Sequence, residues 1–253
     1  MWLDIEADGQ KIILTVVDTP GFGDNINNSK GFVKILDYVE TQHKRFLAEE
    51  SRVQRNAKFQ DTRIHVLLYF IPATGHSLRD VDIVFMKQLG KRVNVIPVIS
   101  KADSLLPSEI KEFKKRINED IQKFDIPIFD FPVNSEDDEE IVQENKEFRS
   151  HLPFTVIGSG QKFDVGGRMV PARKYPWGTA SVEDEKHSDY ATLKLVLLTS
   201  VYYSYSYSYF FIFLNFFYYY KNFPLLLTQI PPRGPQGGDK RCALRELPPG
   251  VPI

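Results

Sequence analysis

An apolar run that ends in an acid and then turns through glycines is the first place in this sequence where chemistry could be done. Val17-Asp18-Thr19-Pro20-Gly21-Phe22-Gly23-Asp24 closes the run that begins at Ile12. In phosphate-binding α/β proteins the ligand sits outside the carboxyl ends of the strands. An aspartate there can hold a magnesium-bound water, and a glycine amide can approach a terminal phosphate. Asp18 and Gly21 are the candidates for these two contacts. Alone, D-x-x-G is equally an ordinary strand entering a turn. A second apolar run, Val95-Ile96-Pro97-Val98-Ile99, ends in Ser100-Lys101-Ala102-Asp103. A K-x-D turn is by itself more often surface than site, but its place one strand, one helix and one strand after D-T-P-G makes the pair more specific than either part.

The elements that must position these residues read as a sheet wrapped by helices. Strands are predicted at Ile12 to Val17, Ile64 to Ile71, Asn94 to Ile99, Pro127 to Phe131 and Phe154 to Ile157. Each is short, rich in β-branched residues and almost wholly apolar, as strands covered on both faces must be. Between them Phe32, Ile35, Leu36, Val39, Phe46 and Leu47 share one helical face, and Ile110, Phe113, Ile117, Ile121 and Phe124 share another. Pro107 suits the first turn of the second helix. Glu136 to Glu140 is a run of acids that reads as the solvated start of a helix, because no histidine or spaced acceptor accompanies it as a metal site would require. The expected fold class is α/β with a mostly parallel sheet.

Charge is nearly balanced, with 32 basic and 33 acidic residues and a net charge of -1, so no global field favours nucleic acid or an anionic membrane. The 253 residues suit one domain with appendages. One cysteine, Cys242, allows no internal disulfide, and Met1 to Glu6 lack the basic-then-apolar pattern of a secretory signal. The cytosol is the expected compartment.

Composition shifts abruptly after about Leu195. Val201 to Tyr220 contains eight of the chain's 12 tyrosines, and no charged residue occurs from Leu195 to Tyr220. A run of that length can span a bilayer. Against this, tyrosine and serine alternate through Tyr202 to Tyr209, Asn215 interrupts the apolar stretch beyond them, and tyrosine prefers the interface to the bilayer centre. With Pro231-Pro232-Arg233-Gly234 and Pro248-Pro249-Gly250 further on, the segment is expected to be a low-complexity, disordered tail rather than a membrane span. A strand is the remaining alternative. The division expected is a globular domain over 1–195 and an atypical tail over 196–253.

Further stretches carry a family resemblance. Leu14 to Asp24, Tyr69-Phe70-Ile71-Pro72-Ala73-Thr74-Gly75-His76-Ser77-Leu78 and Asp82-Ile83-Val84-Phe85-Met86 resemble the septins. So do Tyr175-Pro176-Trp177-Gly178, Val182-Glu183-Asp184 and His187-Ser188-Asp189-Tyr190, the last block being similar to the septin unique element. Ser100-Lys101-Ala102-Asp103 resembles the guanine-specifying N/T/A-K-x-D motif of the GTPase superfamily. A carboxylate accepts from the N1–H and exocyclic amine of guanine but meets an acceptor and a donor on adenine, while the lysine stem can lie along the ring face.

The resemblance, which covers about Ile5 to Leu195, implies a three-layer GTPase-like domain that binds GTP or GDP with Mg2+. It places Gly21 at the terminal phosphate and Lys101, Ala102, Asp103, Ser104, Leu105, Leu106, Pro107, Ser108 and Glu109 around the base. Gly158 would meet the guanine through its backbone, and Arg173 would stack on the ring. His76, Glu109 and Trp177 match positions that reach a neighbouring subunit. The implied partners are other septins, assembled into filaments or rings at the cell cortex or division site, with peripheral membrane contact left open.

The sequence departs from that family in having no G-x-x-x-x-G-K-S/T phosphate loop. The sheet is therefore expected to lack its first strand, the magnesium site to be weakened, and hydrolysis is not expected of the chain as written. The implied reading of Met1 is an internal start. Slow GTP turnover by a fuller form and a non-functional fragment are the alternatives.

Overall fold

The computed structural model describes residues 2–7, 10–18, 29–54, 56, 59–131, 139–197 and 209–215. A six-stranded sheet forms the centre, in the order β1-β2-β9-β3-β4-β5. Its strands are β1 (Trp2–Ala7), β2 (Gln10–Asp18), β3 (Val66–Pro72), β4 (Asn94–Ser100), β5 (Phe154–Val156) and β9 (Tyr209–Asn215). Only the β1–β2 pair is antiparallel.

Side chains alternate across the sheet, and both faces are covered. On β3, Val66, Leu68 and Phe70 enter one core cluster, while Leu67, Tyr69 and Ile71 enter the other. The first cluster packs against Phe148 of α4 (Glu139–Ser150) and Leu193 and Val196 of α5 (Tyr190–Val196). The second packs against α1 (Ser29–Glu50), α2 (Asp80–Leu89) and α3 (Pro107–Lys123). Burial on both faces explains why these strands read as continuous apolar runs. Helix α3 buries Phe113, Ile117 and Ile121 with Pro107 in its first turn, as its periodicity predicts.

Four expectations are corrected. Pro127 to Phe131 is not a strand: the proline lacks an N–H, Phe131 has a φ of 36°, and the segment makes a bond from Phe129 N–H to the Val95 carbonyl. Leu47 is 59% exposed, although the helix period places it with Val39. The segment before the first predicted strand is itself a strand, β1, paired from Trp2↔Thr15 to Ala7↔Gln10.

The fourth correction concerns the tail. β2 and β3 are not neighbours, and β9 lies between them, parallel to both: Ile212 faces Val16 on one side and Val66 on the other. Seven residues of the segment expected to be disordered thus form an inner strand of the sheet. Of the acid run, Glu139 and Glu140 begin α4 and are exposed, as expected, while 136–138 lie outside the described residues.

A second sheet stands apart from the first and consists of β6 (Lys162–Val165), β7 (Arg168–Tyr175) and β8 (Gly178–Ser181). Gly166 and Gly167, with φ of 64° and 85°, turn β6 into β7, since two successive left-handed residues match the twist of a hairpin.

Candidate functional site

The parallel strands bring their carboxyl ends to one edge. Asp18 ends β2 and is exposed, Pro72 ends β3 ahead of Ala73 to His76, Ser100 ends β4, and Val156 ends β5 ahead of Ile157, Gly158 and Ser159. Gly21 lies outside the described residues. Ser100 Oγ donates to the Ile71 carbonyl at 3.1 Å and ties β4 to β3 at this edge.

Past Ser100 the chain turns sharply. Lys101 adopts φ 53°, ψ 48°, and a single 3-10 turn follows over Ala102–Ser104, closed by Ser104 N–H and Oγ donating to the Lys101 carbonyl at 3.0 and 2.6 Å. Ala102 is buried, which fixes the turn against the core. Leu105 is half-buried, and Leu106, Pro107 and Ser108 are exposed where α3 begins. Glu109 Oε2 accepts from the Leu106 N–H at 2.7 Å, so this carboxylate caps its own helix. His76 is exposed on a loop that α3 holds through Arg116 Nη1 to the Gly75 carbonyl, 2.8 Å, and through the Leu78 N–H to Asp120 Oδ2, 3.0 Å.

Asp103 is the centre of the cluster. Its side chain is only 3% exposed and carries an ion pair with Arg173 of β7, whose Nη1 lies 3.0 Å from Oδ2 and 3.2 Å from Oδ1. Arg173 Nε donates to the Gly158 carbonyl at 2.9 Å. The Tyr175 hydroxyl donates a short hydrogen bond to Asp103 Oδ2. Burial, then the bond to Asp103, pushes the Tyr175 phenol above its ordinary range, which keeps it a donor. Partial burial, then the nearby Arg173 cation, lowers Lys101, against the pull of Asp103. Trp177 stacks on Tyr175 at 4.6 Å between ring centroids and stands 78% exposed.

The β5 end is held by a second, partly buried carboxylate, Asp189. It accepts from Lys114 Nζ (2.8 Å), Thr155 N–H (2.8 Å) and Thr155 Oγ1 (2.5 Å), and lies 3.0 Å from His151 Nδ1. Its own N–H donates to the Thr155 carbonyl at 2.6 Å, and Ser188 Oγ accepts from the Ile157 N–H at 3.3 Å. Burial opposes the Asp189 charge, but Lys114 and the Thr155 donors outweigh it and hold the carboxyl below its usual range. The His-Ser-Asp-Tyr motif thus clamps α5 and α3 to β5, immediately before Gly158.

The structure gathers Lys101, Ala102, Asp103, Ser104, Gly158 and Arg173 in one place, with Trp177 joined through Tyr175. Asp18 and His76 stand on other strand ends of the same edge. Sequence reasoning missed Tyr175 as a partner of Asp103: the Tyr-Pro-Trp-Gly turn marks the place but carries no signal for a partner 72 residues away.

Comparison with known proteins decides the family. The Septin family profile matches residues 2–204. The chain belongs to the septin family. It is 46% identical over 197 residues to "Septin homolog spn3" of Schizosaccharomyces pombe, covering 78% of this chain and 53% of that protein. Over 202 residues it is 46% identical to "Cell division control protein 11" of Saccharomyces cerevisiae, covering 78% of this chain and 49% of that one. This septin chain therefore spans about half the length of the curated relatives it matches. Among solved structures, it resembles the septin GTPase domain from Chlamydomonas reinhardtii, with a TM-score of 0.65 at 25% identity, over 81% of this chain and 75% of that one. Cdc11 from Saccharomyces cerevisiae matches with a TM-score of 0.55 at 36% identity, over 81% and 87%. The α/β architecture and parallel sheet of this septin are those of the septin GTPase domain.

For magnesium, the described residues offer Asp18 but no group of three or more His, Cys, Asp or Glu side chains placed to hold a metal ion. No described helix is long and apolar enough to cross a membrane.

Proposed function

We propose that this chain is a guanine-nucleotide-binding septin subunit that assembles with other septins into filaments or rings at the cell cortex or division site. One observation carries the reading: a buried carboxylate, Asp103, at a parallel-strand end, with its edge served entirely by N–H and O–H donors. Guanine offers that same edge two adjacent donors, N1–H and the exocyclic amine, whereas adenine sets an acceptor against it. Lys101 supplies an aliphatic stem for the ring face, and Gly158 brings backbone close to the base. Arg173 supplies a guanidinium plane that can stack on a purine. Asp18 and Gly21 would face the phosphates.

His76, Glu109 and Trp177 are the proposed contacts with a neighbouring subunit. The exposure of the Trp177 indole supports this, since aromatic anchors concentrate at interfaces. Nucleotide that orders this face strengthens assembly by mass action.

The test is equilibrium binding of fluorescent GDP and ADP analogues to the full chain and to Asp103→Asn. The wild type will prefer GDP, and Asp103→Asn will lose at least about tenfold of that preference, because an amide presents a donor where the N1–H needs an acceptor. Equal uptake of adenine and guanine nucleotides by the wild type, or uptake of neither, refutes the reading.

A further inference from the structure

In the closed cluster the base-reading carboxylate is already fully engaged by the protein. Arg173 Nη1 reaches both Asp103 oxygens at 3.0 and 3.2 Å, Tyr175 donates to Oδ2, and 3% of the side chain remains accessible. A single guanidinium nitrogen, Nη1, takes both of the oxygens that guanine's N1–H and amine would need, and Arg173 Nε–H occupies the Gly158 carbonyl at 2.9 Å. All of these donors come from β7, a strand of the small sheet. That sheet is joined to the main domain near this point by Ser159 Oγ donating to the Ala172 carbonyl at 2.6 Å and by Val182, which follows β8 and is buried in the first core cluster.

We propose that Arg173 and Tyr175 form a latch, in which the small sheet β6–β8 caps Asp103 as an internal stand-in for guanine, and that the base enters only by displacing it. This inference rests on the reading of Asp103 as the base-binding residue and deepens it. Closed and guanine-bound states compete for the same two oxygens, so the apparent affinity is the intrinsic affinity multiplied by the fraction of molecules with the latch open. Opening turns Arg173 from carboxylate partner to base-stacking partner. It also moves the Tyr175 ring, against which Trp177 is stacked with an interplanar angle of 8°. Occupancy of the pocket is thereby transmitted to an exposed indole on the proposed subunit contact.

Tyr175→Phe tests the latch, because it deletes the hydroxyl while keeping the ring on which Trp177 stacks. The experiment uses the full chain with Trp2→Phe, leaving Trp177 as the only indole, and titrates it with GDP. The expected result is GDP binding about tenfold tighter in Tyr175→Phe, equivalent to about 1.4 kcal/mol, with a change in Trp177 emission on GDP addition in the Tyr175 form. In the absence of nucleotide, amide hydrogen exchange in β7 and β8 will be faster in Tyr175→Phe. If GDP binds but Tyr175→Phe leaves its affinity unchanged or weaker, the latch is overturned while the base-binding assignment stands. Unchanged exchange in β7 and β8 also overturns it. If neither protein takes up GDP, the assignment of Asp103 to guanine fails and the latch's role as a gate fails with it.

Discussion

Asp189 offers the most direct measure of how the domain holds the end of β5 in place. The perturbation is Asp189→Asn, which keeps shape and removes the charge. The carboxylate is 12% exposed and Lys114 21% exposed, so the pair is neither a surface bridge nor fully dry. Breaking a buried pair costs about 3–5 kcal/mol, and exposed pairs are worth about 0–1 kcal/mol. With Thr155 N–H and Oγ1 also losing a charged acceptor, a loss of about 3 kcal/mol is expected. In a domain of about 150–250 residues each kcal/mol moves Tm by about 2–4 °C, so the midpoint should fall by about 6–12 °C in thermal unfolding followed by circular dichroism at pH 7.

The pH dependence supplies a second check on Asp189. The folded carboxyl is held below its reference of 3.8, so its stabilisation is complete above that value and is lost as pH falls through the depressed folded value. The gap between wild type and Asp189→Asn will therefore narrow below about pH 4, where the unfolded carboxyl takes up its proton. A variant that melts within about 1 °C of wild type at pH 7, or a gap that does not close in acid, refutes the assignment of Asp189 as the clamp.

Other measurements probe the same packing. His65 is buried, and burial is the main cause that lowers its pKa to about 4. The unfolded ring binds its proton near pH 6.5, so wild-type stability will fall between about pH 6.5 and 4, by about 1.4 kcal/mol per pH unit at most, and His65→Gln will remove that slope in urea melts. Ile212→Pro deletes an N–H inside β9, which is paired on both sides; a loss of about 3 kcal/mol or more is expected, read as a lower urea midpoint. An unchanged midpoint would show that β9 is not an inner strand. Gly90→Ala puts a Cβ 2.2 Å from the Pro127 carbonyl oxygen, so backbone must shift. A Tm lower by several degrees is expected, from about 1–3 kcal/mol of overpacking.

Much of the site was written in local pattern. Asp18 and Ser100-Lys101-Ala102-Asp103 each come after a continuous apolar run rich in β-branched residues, the pattern of a strand buried on both faces. Their parallel alignment then brings the ends to one edge. The α3 face of Phe113, Ile117 and Ile121 comes from helical period alone, and Pro107 marks its start without any long-range contact. Where local signals compete, as in Pro127 to Phe131, an apolar stretch failed as a strand because a proline and a left-handed residue outweigh β propensity.

What tertiary structure decided is which distant groups meet. Arg173 and Tyr175 lie 70 and 72 residues from Asp103 along the chain, and nothing in the Tyr-Pro-Trp-Gly turn says which carboxylate it will cover. The same holds for Tyr209–Asn215, whose apolar run is compatible with a tail, a membrane span or a strand. Pairing between parallel strands is set by which backbone edges lie open after the rest of the chain has packed, and the opening between β2 and β3 exists only in the folded sheet. Sequence thus determined the residue types and their local geometry, while the fold determined their partners, because hydrogen bonds and ion pairs depend on distance in space rather than on separation along the chain.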